Sequence, residues 1–312
     1  MAIALQILKP TAITAAMLTA SNVPEPATGA NPDPAAWAGG TTYALADRVH
    51  VASTHTIYES VQAANTGHDP TTDTAGTWWV AVGPTNRWRM FDQRNSSQTT
   101  RTAGIDVTVT PGVICNALTV DNVTETTAIQ VSVTDPVDGL VYSQTHSMSA
   151  PISASDWYAW FFDAFVYQTT LVVDDLPSYP NAAIRVQAIT GATAVAGIGV
   201  LVLGQLRTFG LGVNSGARVG IQDYSVKTRN DFGDWEITER AFAKRATFDM
   251  WVPRQEVDAL QAFMAGVRAT PCVYILSDSY AATVLYGFYN DFEISIQYRD
   301  YSVFNAQIEG LT

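Results

Sequence analysis

Cysteine, charged residues and long apolar runs are all scarce in this sequence of 312 residues. Cys115 and Cys272 are far apart and lack a CxxC context, so neither a disulfide framework nor a thiolate metal site is indicated. We expect both to be buried apolar residues in a reducing environment. Charged residues make up 15% of the chain and apolar residues 47%, a balance typical of a globular protein.

A basic stripe is also missing, because the net charge is −12 and the acidic excess is spread along the whole chain. Nucleic-acid binding needs concentrated positive charge, so we expect no nucleic-acid partner. The longest apolar run, Ala192 to Leu203, contains glycine and is too short to span a bilayer, which favours a buried strand. The N-terminus does not resemble a signal peptide. We therefore expect neither membrane insertion nor export through a leader.

Catalytic and metal-binding motifs are lacking as well. His50 and His55 lie in a predicted hairpin without the spacing of a metal site. No GxSxG, SxxK, Cys–His or phosphate-loop pattern occurs. Glycoside hydrolysis would need two facing carboxylates. The available candidates are Asp174, Asp175, Asp231, Asp234 and Glu236. The Asp-Asp pair precedes Leu-Pro and is better interpreted as a turn, so we expect no catalytic residues, no cofactor, no metal and no enzymatic activity.

Short β-type runs dominate the middle of the chain. Between Gly104 and Leu206, runs rich in Val, Ile and Thr alternate with Pro, Gly, Asp and Asn turns, which is typical of an antiparallel sandwich. The stretch 156–165 is dense in aromatic residues. Its pattern leaves open whether it forms a strand or a helix.

Isolated aromatic residues surrounded by glycine and small polar residues mark a separate segment near the N-terminus. A segment this short cannot form a generic core. Each aromatic side chain covers about 150–250 Å², so a few of them can hold a small three-stranded sheet. The order W…Y…D.V…Y…NTGHDP…WW resembles carbohydrate-binding modules of family 5/12. The residues that match framework positions of these modules are Trp37, Tyr43, Asp47, Tyr58 and Trp78.

The resemblance also implies a glycan site, which in such modules uses an adjacent aromatic pair. The corresponding place after Tyr58 reads Glu-Ser-Val-Gln, so that pair is missing. Because neighbours on a strand point to opposite faces, we expect Trp79 to be the exposed ligand-binding residue beside Trp78. The expected polar partners of the glycan are Asn65, His68 and Asp69. The alternative is a module kept as a spacer or docking surface.

The segment interrupts what looks like one continuous domain. Residues 21–36 are rich in proline and indicate a linker. The sequences SNVPE before the segment and NRWRMFD after it together resemble the opening of galactose-binding-like jelly rolls. We therefore expect a mainly β protein in which a small three-stranded module, residues 34–82, is inserted in a jelly-roll sandwich formed by residues 1–33 and 83–206.

The remainder, residues 207–312, is expected to form a β-rich α+β domain. Apolar residues at helical spacing predict one clear helix from Pro253 to Val267. The glycine-rich Phe209–Gly216 segment is interpreted as an interdomain linker. The strands expected around the helix are 246–252, 272–276, 283–289, 293–298 and 304–308.

The C-terminal sequences RAFAKRATFDMWV and LYGFYNDFEISIQYRDYSVFNAQIEGL resemble C-terminal domains of bacteriophage tail proteins. This resemblance implies a structural component of a tail tip or baseplate, made in the host cytoplasm and carried in the virion. The implied partners are other tail proteins, further copies of the chain in a trimeric or hexameric ring, and weakly bound host surface polysaccharide. The alternative is a carbohydrate-active enzyme or a secreted glycan-binding protein with an accessory module.

An apparent excess of aromatic residues makes the C-terminal domain the expected assembly region, because aromatic residues and arginine are enriched at interface cores. The residues in excess are Trp235, Trp251, Tyr286, Phe288, Tyr289, Phe292 and Tyr301.

Overall fold

The structure is a computed structural model that describes residues 4–29, 31–149, 167–214, 216–230, 232–277, 280–296 and 298–311. It is mainly β with antiparallel sheets and one clear α-helix, as expected. The ambiguous aromatic stretch 156–165 lies outside the described residues. The described part of the chain contains no helix with the length and apolar character that a bilayer span requires.

The strands in chain order are β1 (Leu5–Pro10), β2 (Leu18–Ser21), β3 (Thr42–Tyr43), β4 (Arg48–Val51), β5 (Thr56–Ser60), β6 (Asn65–Thr66), β7 (Trp79–Pro84), β8 (Thr99–Thr102), β9 (Ile105–Val109), β10 (Ala117–Thr124), β11 (Ala128–Asp135), β12 (Gly139–Ser147), β13 (Leu171–Val173), β14 (Ala183–Ile189), β15 (Val195–Phe209), β16 (Arg218–Asp223), β17 (Val226–Arg229), β18 (Trp235–Thr238), β19 (Phe242–Pro253), β20 (Cys272–Ile275), β21 (Val284–Ser295) and β22 (Tyr301–Gly310). The α-helix α1 spans Val257–Gly266, and short 3₁₀ turns occur at Asn86–Phe91, Arg254–Glu256 and Ala281–Thr283.

The chain divides into two compact units. The sandwich unit comprises residues 12–114 and 119–202, and the C-terminal unit comprises residues 1–11, 115–118 and 203–312. This division differs from the expected domains at the N-terminus, because β1 belongs to the C-terminal unit. There β1 pairs with β20 and with the end of β15, where Leu5 lies opposite Phe209. Such a long-range pairing leaves no local signal in the sequence.

The sandwich unit contains a five-stranded sheet in the order β12-β11-β14-β9-β2. Its side chains alternate as a half-buried strand requires, with Ile129, Val131 and Val133 buried along β11. Strands β13 and β10 and the first part of β15 form a second sheet portion, with β8 paired to β15. The residues of β15 from Ala196 to Val202 are all buried, which confirms the interpretation of the glycine-broken apolar run.

The inserted segment folds as a small β module within the sandwich unit. Its three-stranded sheet has the order β4-β5-β7, and β3 and β6 form a separate two-stranded sheet. The last strand continues to Pro84, two residues beyond the expected boundary at 82. The expected three-stranded sheet is present.

The C-terminal unit has its core between helix α1 and a sheet in the order β1-β20-β21-β22-β19-β16. The helix buries Leu260 and Met264 against strand residues such as Phe248 and Phe304. The predicted helix is present, but its predicted start is wrong, because Pro253 ends strand β19 and the helix begins at Val257. The prediction of two separate strands at 283–289 and 293–298 is wrong. They form the single strand β21, which contains a bulge between Tyr289 and Asp291.

Candidate functional sites

The module has its own aromatic core. Tyr43, Val49 and Trp79 are buried together, and Trp37, Tyr58 and Trp78 pack around them. The rings of Tyr43 and Trp79 meet edge to face, with centroids 5.2 Å apart. This geometry is favourable for aromatic pairs. The buried rings of Tyr43 and Trp79 therefore belong to the framework of the module.

The expected exposure of Trp79 is wrong, because only 2% of this residue is accessible to solvent. Its indole N–H donates a 2.8 Å hydrogen bond to the carbonyl of His68, which fixes the ring inside the module. Strand β7 begins at Trp79, so the residue before it lies in the preceding loop and does not follow strand alternation. Trp79 is a core residue and cannot stack on a glycan.

The half-buried tryptophan of the pair is Trp78. Its ring stacks on the imidazole of His68 with centroids 3.7 Å apart and planes 10° apart. The backbone N–H groups of Trp78 and Trp79 donate to the Asp73 carboxylate at 2.6 and 2.8 Å. These bonds lower the pKa of Asp73 below its ordinary value. Sequence reasoning missed Asp73, although aspartate in a polar loop is a common residue for such turns.

Two of the expected polar partners, Asn65 and Asp69, make hydrogen bonds within the module. The side chain of Asn65 is fully buried and donates to the Ser60 hydroxyl at 3.0 Å and to the Trp78 carbonyl at 3.3 Å. Asp69 accepts hydrogen bonds from the backbone N–H and the hydroxyl of Thr71, which closes a turn. The structure therefore brings His68 together with Trp78, and it removes Asn65 from any surface site.

Asp47 also has a structural position. Its carboxylate accepts a 2.6 Å hydrogen bond from the Ala44 N–H, and its carbonyl accepts one from the Ser60 N–H. These bonds connect the loop before β4 to the end of β5. The framework role expected for Asp47 agrees with this geometry.

A buried carboxylate joins the module to the sandwich. The Glu25 side chain is 5% exposed. It accepts hydrogen bonds from Thr85 at 2.6 Å, His55 at 2.9 Å and the Trp88 indole at 3.3 Å, with the Arg87 guanidinium at 3.6 Å. Burial raises the pKa of Glu25, but the hydrogen bonds from Thr85 and His55, together with the electrostatic contributions of His55 and Arg87, outweigh burial and lower the pKa below its ordinary value.

The start and the end of the inserted segment are held together by a second carboxylate. One oxygen of Asp33 accepts a hydrogen bond from the Ala27 N–H at 2.7 Å, and the other accepts one from the Asn86 N–H at 2.9 Å. The Thr85 N–H also donates to the carbonyl of His55. The module is therefore fixed to the sandwich at its base and at its β4–β5 turn.

No cluster of His, Cys, Asp or Glu with metal-binding geometry occurs in the residues that the structure describes. His50 bonds to the Pro34 carbonyl through Nδ1 at 2.6 Å, and Asp175 accepts hydrogen bonds from Tyr142 and Gln144. Asp231 lies outside the described residues. Cys115 and Cys272 are both buried with free thiols, and burial raises the pKa of the Cys272 thiol to about 12.

The C-terminal unit carries an unexpected apolar arm, which we define as residues 218–242. It contains edge strand β16, which pairs with β19, and the hairpin of β17 and β18. Every residue of these three strands is exposed. The exposed apolar residues of the arm are Val219, Ile221, Tyr224, Val226, Phe232, Trp235, Ile237 and Phe242.

Most of the aromatic residues expected to form an assembly surface are not exposed. Among the seven aromatic residues named for assembly, only Trp235 and Phe288 are exposed. Tyr286 is buried, Tyr289 and Phe292 pack against the core, and Trp251 meets Tyr301 edge to face. Most of these aromatic residues are therefore needed inside the unit.

Comparison with known proteins gives no function for the module or for the apolar arm. No protein-family model matches the chain, and no curated protein matches it.

Proposed function

We propose that the chain is a structural component of a bacteriophage tail tip or baseplate and that its apolar arm mediates assembly. The observation that carries the proposal is the exposure of the arm. Phe232 is 92% and Trp235 64% exposed in a two-stranded hairpin. An isolated two-stranded hairpin is marginally stable in water at best. The apolar side chains of this arm are expected to be covered by a partner.

The composition of the arm matches that of an interface. Contiguous exposed apolar patches mark interaction sites, and aromatic residues and arginine are enriched in interface cores. The arm combines Trp235 and Phe242 with Arg218, Arg229 and Arg240. Strand β16 ends the sheet order and leaves an edge that another chain can extend.

The proposed partner of the arm is a second copy of the chain, which gives a ring. An arm that reaches a different surface of its neighbour makes a head-to-tail contact, and such contacts close into cyclic assemblies when the rotation allows. A trimer or hexamer is the expected ring, built in the host cytoplasm and joined to other tail proteins in the virion. The phage setting itself comes from the sequence resemblance.

The test is a measurement of assembly mass by multi-angle light scattering and native mass spectrometry. The variant Trp235→Ser with Ile237→Thr removes two apolar residues of the arm. A matched control, Val137→Ser with Leu140→Thr, removes two exposed apolar residues, at the β11–β12 turn and at the start of β12. We expect the wild type and the control to form the ring and the arm variant to remain monomeric. A monomeric wild type, or an arm variant that assembles normally, would contradict the proposal.

The phage setting needs a separate test. In infected cells, tagged wild-type protein should be incorporated into particles, and the arm variant should be excluded. Genomic neighbours that encode a tape measure and a tail tube would support the same setting, whereas polysaccharide-degrading enzymes as neighbours would favour the alternative of an enzyme or secreted glycan binder.

A second proposed role is weak glycan contact by the module, through Trp78 in place of Trp79. The specific observation is the stacked, half-buried pair of Trp78 and His68. A single stacked aromatic residue contributes about 0.5–1.5 kcal/mol beyond area burial, so a dissociation constant in the millimolar range, about −4 kcal/mol, is expected. Weak sites become effective when copies in a ring bind together. Retention on chitin, cellulose and host polysaccharide by wild type and Trp78→Ala tests this role, and equal retention would exclude Trp78.

A further inference from the structure

A cavity of about 310 Å³ lies in the sandwich unit, outside the module. This volume is at the lower end of the range of small-molecule sites, about 300–1,000 Å³. Its walls come from the loop after β2, the 3₁₀ turn at Asn86, strand β8 and the start of β15. The lining contains asparagine, threonine, one arginine, one proline and one valine. It includes no aromatic residue and no carboxylate, so it differs in kind from the module surface.

Arg101 is the charged residue of this cavity. Its NH1 group donates to the backbone carbonyls of Gly104 at 2.8 Å and Thr102 at 3.3 Å. Carbonyls orient the guanidinium but do not neutralise it, and within the described ranges no salt bridge to Arg101 is present. An unneutralised, oriented arginine in a chain of net charge −12 is suited to an anionic group.

The amide groups around Arg101 are held in fixed positions. Asn22 donates to the Gly104 carbonyl at 3.3 Å and accepts a hydrogen bond from the Asp106 N–H at 2.9 Å. Asn86 donates to the Thr100 carbonyl and accepts a hydrogen bond from the Thr100 N–H, both at 2.9 Å. Asn31, which also lines the cavity, donates to the Thr100 hydroxyl at 3.2 Å, and that hydroxyl lies 3.4 Å from the Asn86 oxygen as a second donor. An amide has two donor hydrogens and two acceptor lone pairs, so Asn22 keeps one donor and one acceptor for a ligand, and Asn86 keeps one donor.

The Gly104 carbonyl is the common anchor of Arg101 and Asn22. Gly104 has φ +98°, and a Cβ at this position would lie 2.5 Å from the carbonyl oxygen of Ala188. Glycine is thus the residue that fits here without a backbone shift. The shared carbonyl places the Arg101 guanidinium and the Asn22 amide side by side, an arrangement that favours a preorganised site.

We infer that this cavity binds a carboxylate-bearing sugar residue of the uronic-acid type. The carboxylate contacts the free guanidinium nitrogens of Arg101. The ring hydroxyls, which both donate and accept, contact the amides of Asn22, Asn31 and Asn86. This inference does not depend on assembly through the apolar arm or on glycan binding by the module.

Isothermal titration of the full-length chain with glucuronate, glucose and acetate tests the inference. Glucose has the hydroxyls without the carboxylate, and acetate has the carboxylate without the hydroxyls. We expect glucuronate to bind at least about tenfold more tightly than either, because a charged hydrogen bond and the hydroxyl contacts act together. Equal affinity for all three probes, or no heat with glucuronate up to millimolar concentration, would overturn the inference.

The matched variants are Arg101→Ala and Arg94→Ala, which remove the same charge, but Arg94 does not line the cavity. We expect Arg101→Ala to weaken glucuronate binding about 10- to 100-fold and Arg94→Ala to leave it unchanged. Arg101→Lys keeps the charge without the guanidinium fork and should give an intermediate loss. It also replaces the alanine variant if that one does not fold. Unchanged binding in the folded Arg101 variants would reject the site.

Discussion

The module and the apolar arm are both small β elements, yet the module buries its large apolar side chains and the arm exposes them. The module turns Tyr43 and Trp79 inward and closes a core of its own. The arm leaves Phe232 exposed in the turn of its hairpin and Trp235 and Ile237 exposed on β18, and no described element covers them. The same residue types therefore stabilise a core in one place and remain exposed to solvent in the other. Aromatic content alone does not distinguish these two uses.

The largest expected effect comes from truncating one tryptophan in each region. Trp79→Ala should destabilise the module by about 3–5 kcal/mol, because it removes a buried ring from a very small core. Urea unfolding and proteolysis within residues 34–84 measure this loss. The matched variant Trp235→Ala should change the stability of the monomer by less than about 0.5 kcal/mol and weaken assembly instead. Equal destabilisation by both variants would remove the contrast between the regions.

The next effect concerns the attachment of the module. Glu25→Gln should lower stability by about 1–3 kcal/mol, because it weakens charged hydrogen bonds to a buried carboxylate. Glu59→Gln is the control, since Glu59 pairs with the exposed Arg48 at 2.7 Å and surface ion pairs contribute about 0–1 kcal/mol. Chemical unfolding of both variants gives the comparison. A larger loss for Glu59→Gln would contradict the anchoring role of Glu25.

The pKa of Glu25 makes this attachment sensitive to acid. The folded chain holds this pKa below 4.5, so the unfolded chain takes up the proton first as pH falls. The stabilisation by Glu25 should therefore be complete above pH 4.5 and be lost as pH falls through the lower, folded pKa. Unfolding free energies measured at several pH values should fall more steeply for wild type than for Glu25→Gln. Identical slopes would show that Glu25 is not responsible.

The smallest effect is expected at the stacked pair on the module surface. Trp78→Ala and His68→Ala should each destabilise the module by about 1 kcal/mol, with a coupling energy of about 0.5–1.5 kcal/mol in the double variant. A double-mutant cycle in urea measures this coupling. Zero coupling would mean that the observed stacking does not contribute to stability.

Much of the fold follows from local patterns. Alternating Val, Ile and Thr predicted β9, β11, β12 and β14, and helical spacing predicted α1. The module was predictable because isolated aromatic residues among glycines have few other structural uses. These features depend on residues close together in the chain, where periodicity decides which side chains face inward.

The errors concern features that local patterns do not determine. Whether Trp78 or Trp79 faces inward depends on where β7 begins, and that point is set by the loop bonded to Asp73. The strands of the arm contain apolar residues like buried strands, and their exposure depends on the absence of a covering element. The cavity around Arg101 combines residues from four separate segments, so no sequence motif indicates it.

The carboxylate of Asp33 has a consequence for how this protein can change. It brings the chain before the module and the chain after it within reach of one side chain. Any small domain whose own termini lie equally close could replace residues 34–84 and leave the sandwich strands undisturbed. The sandwich should therefore accept a different small domain at this position, introduced by recombination or by design.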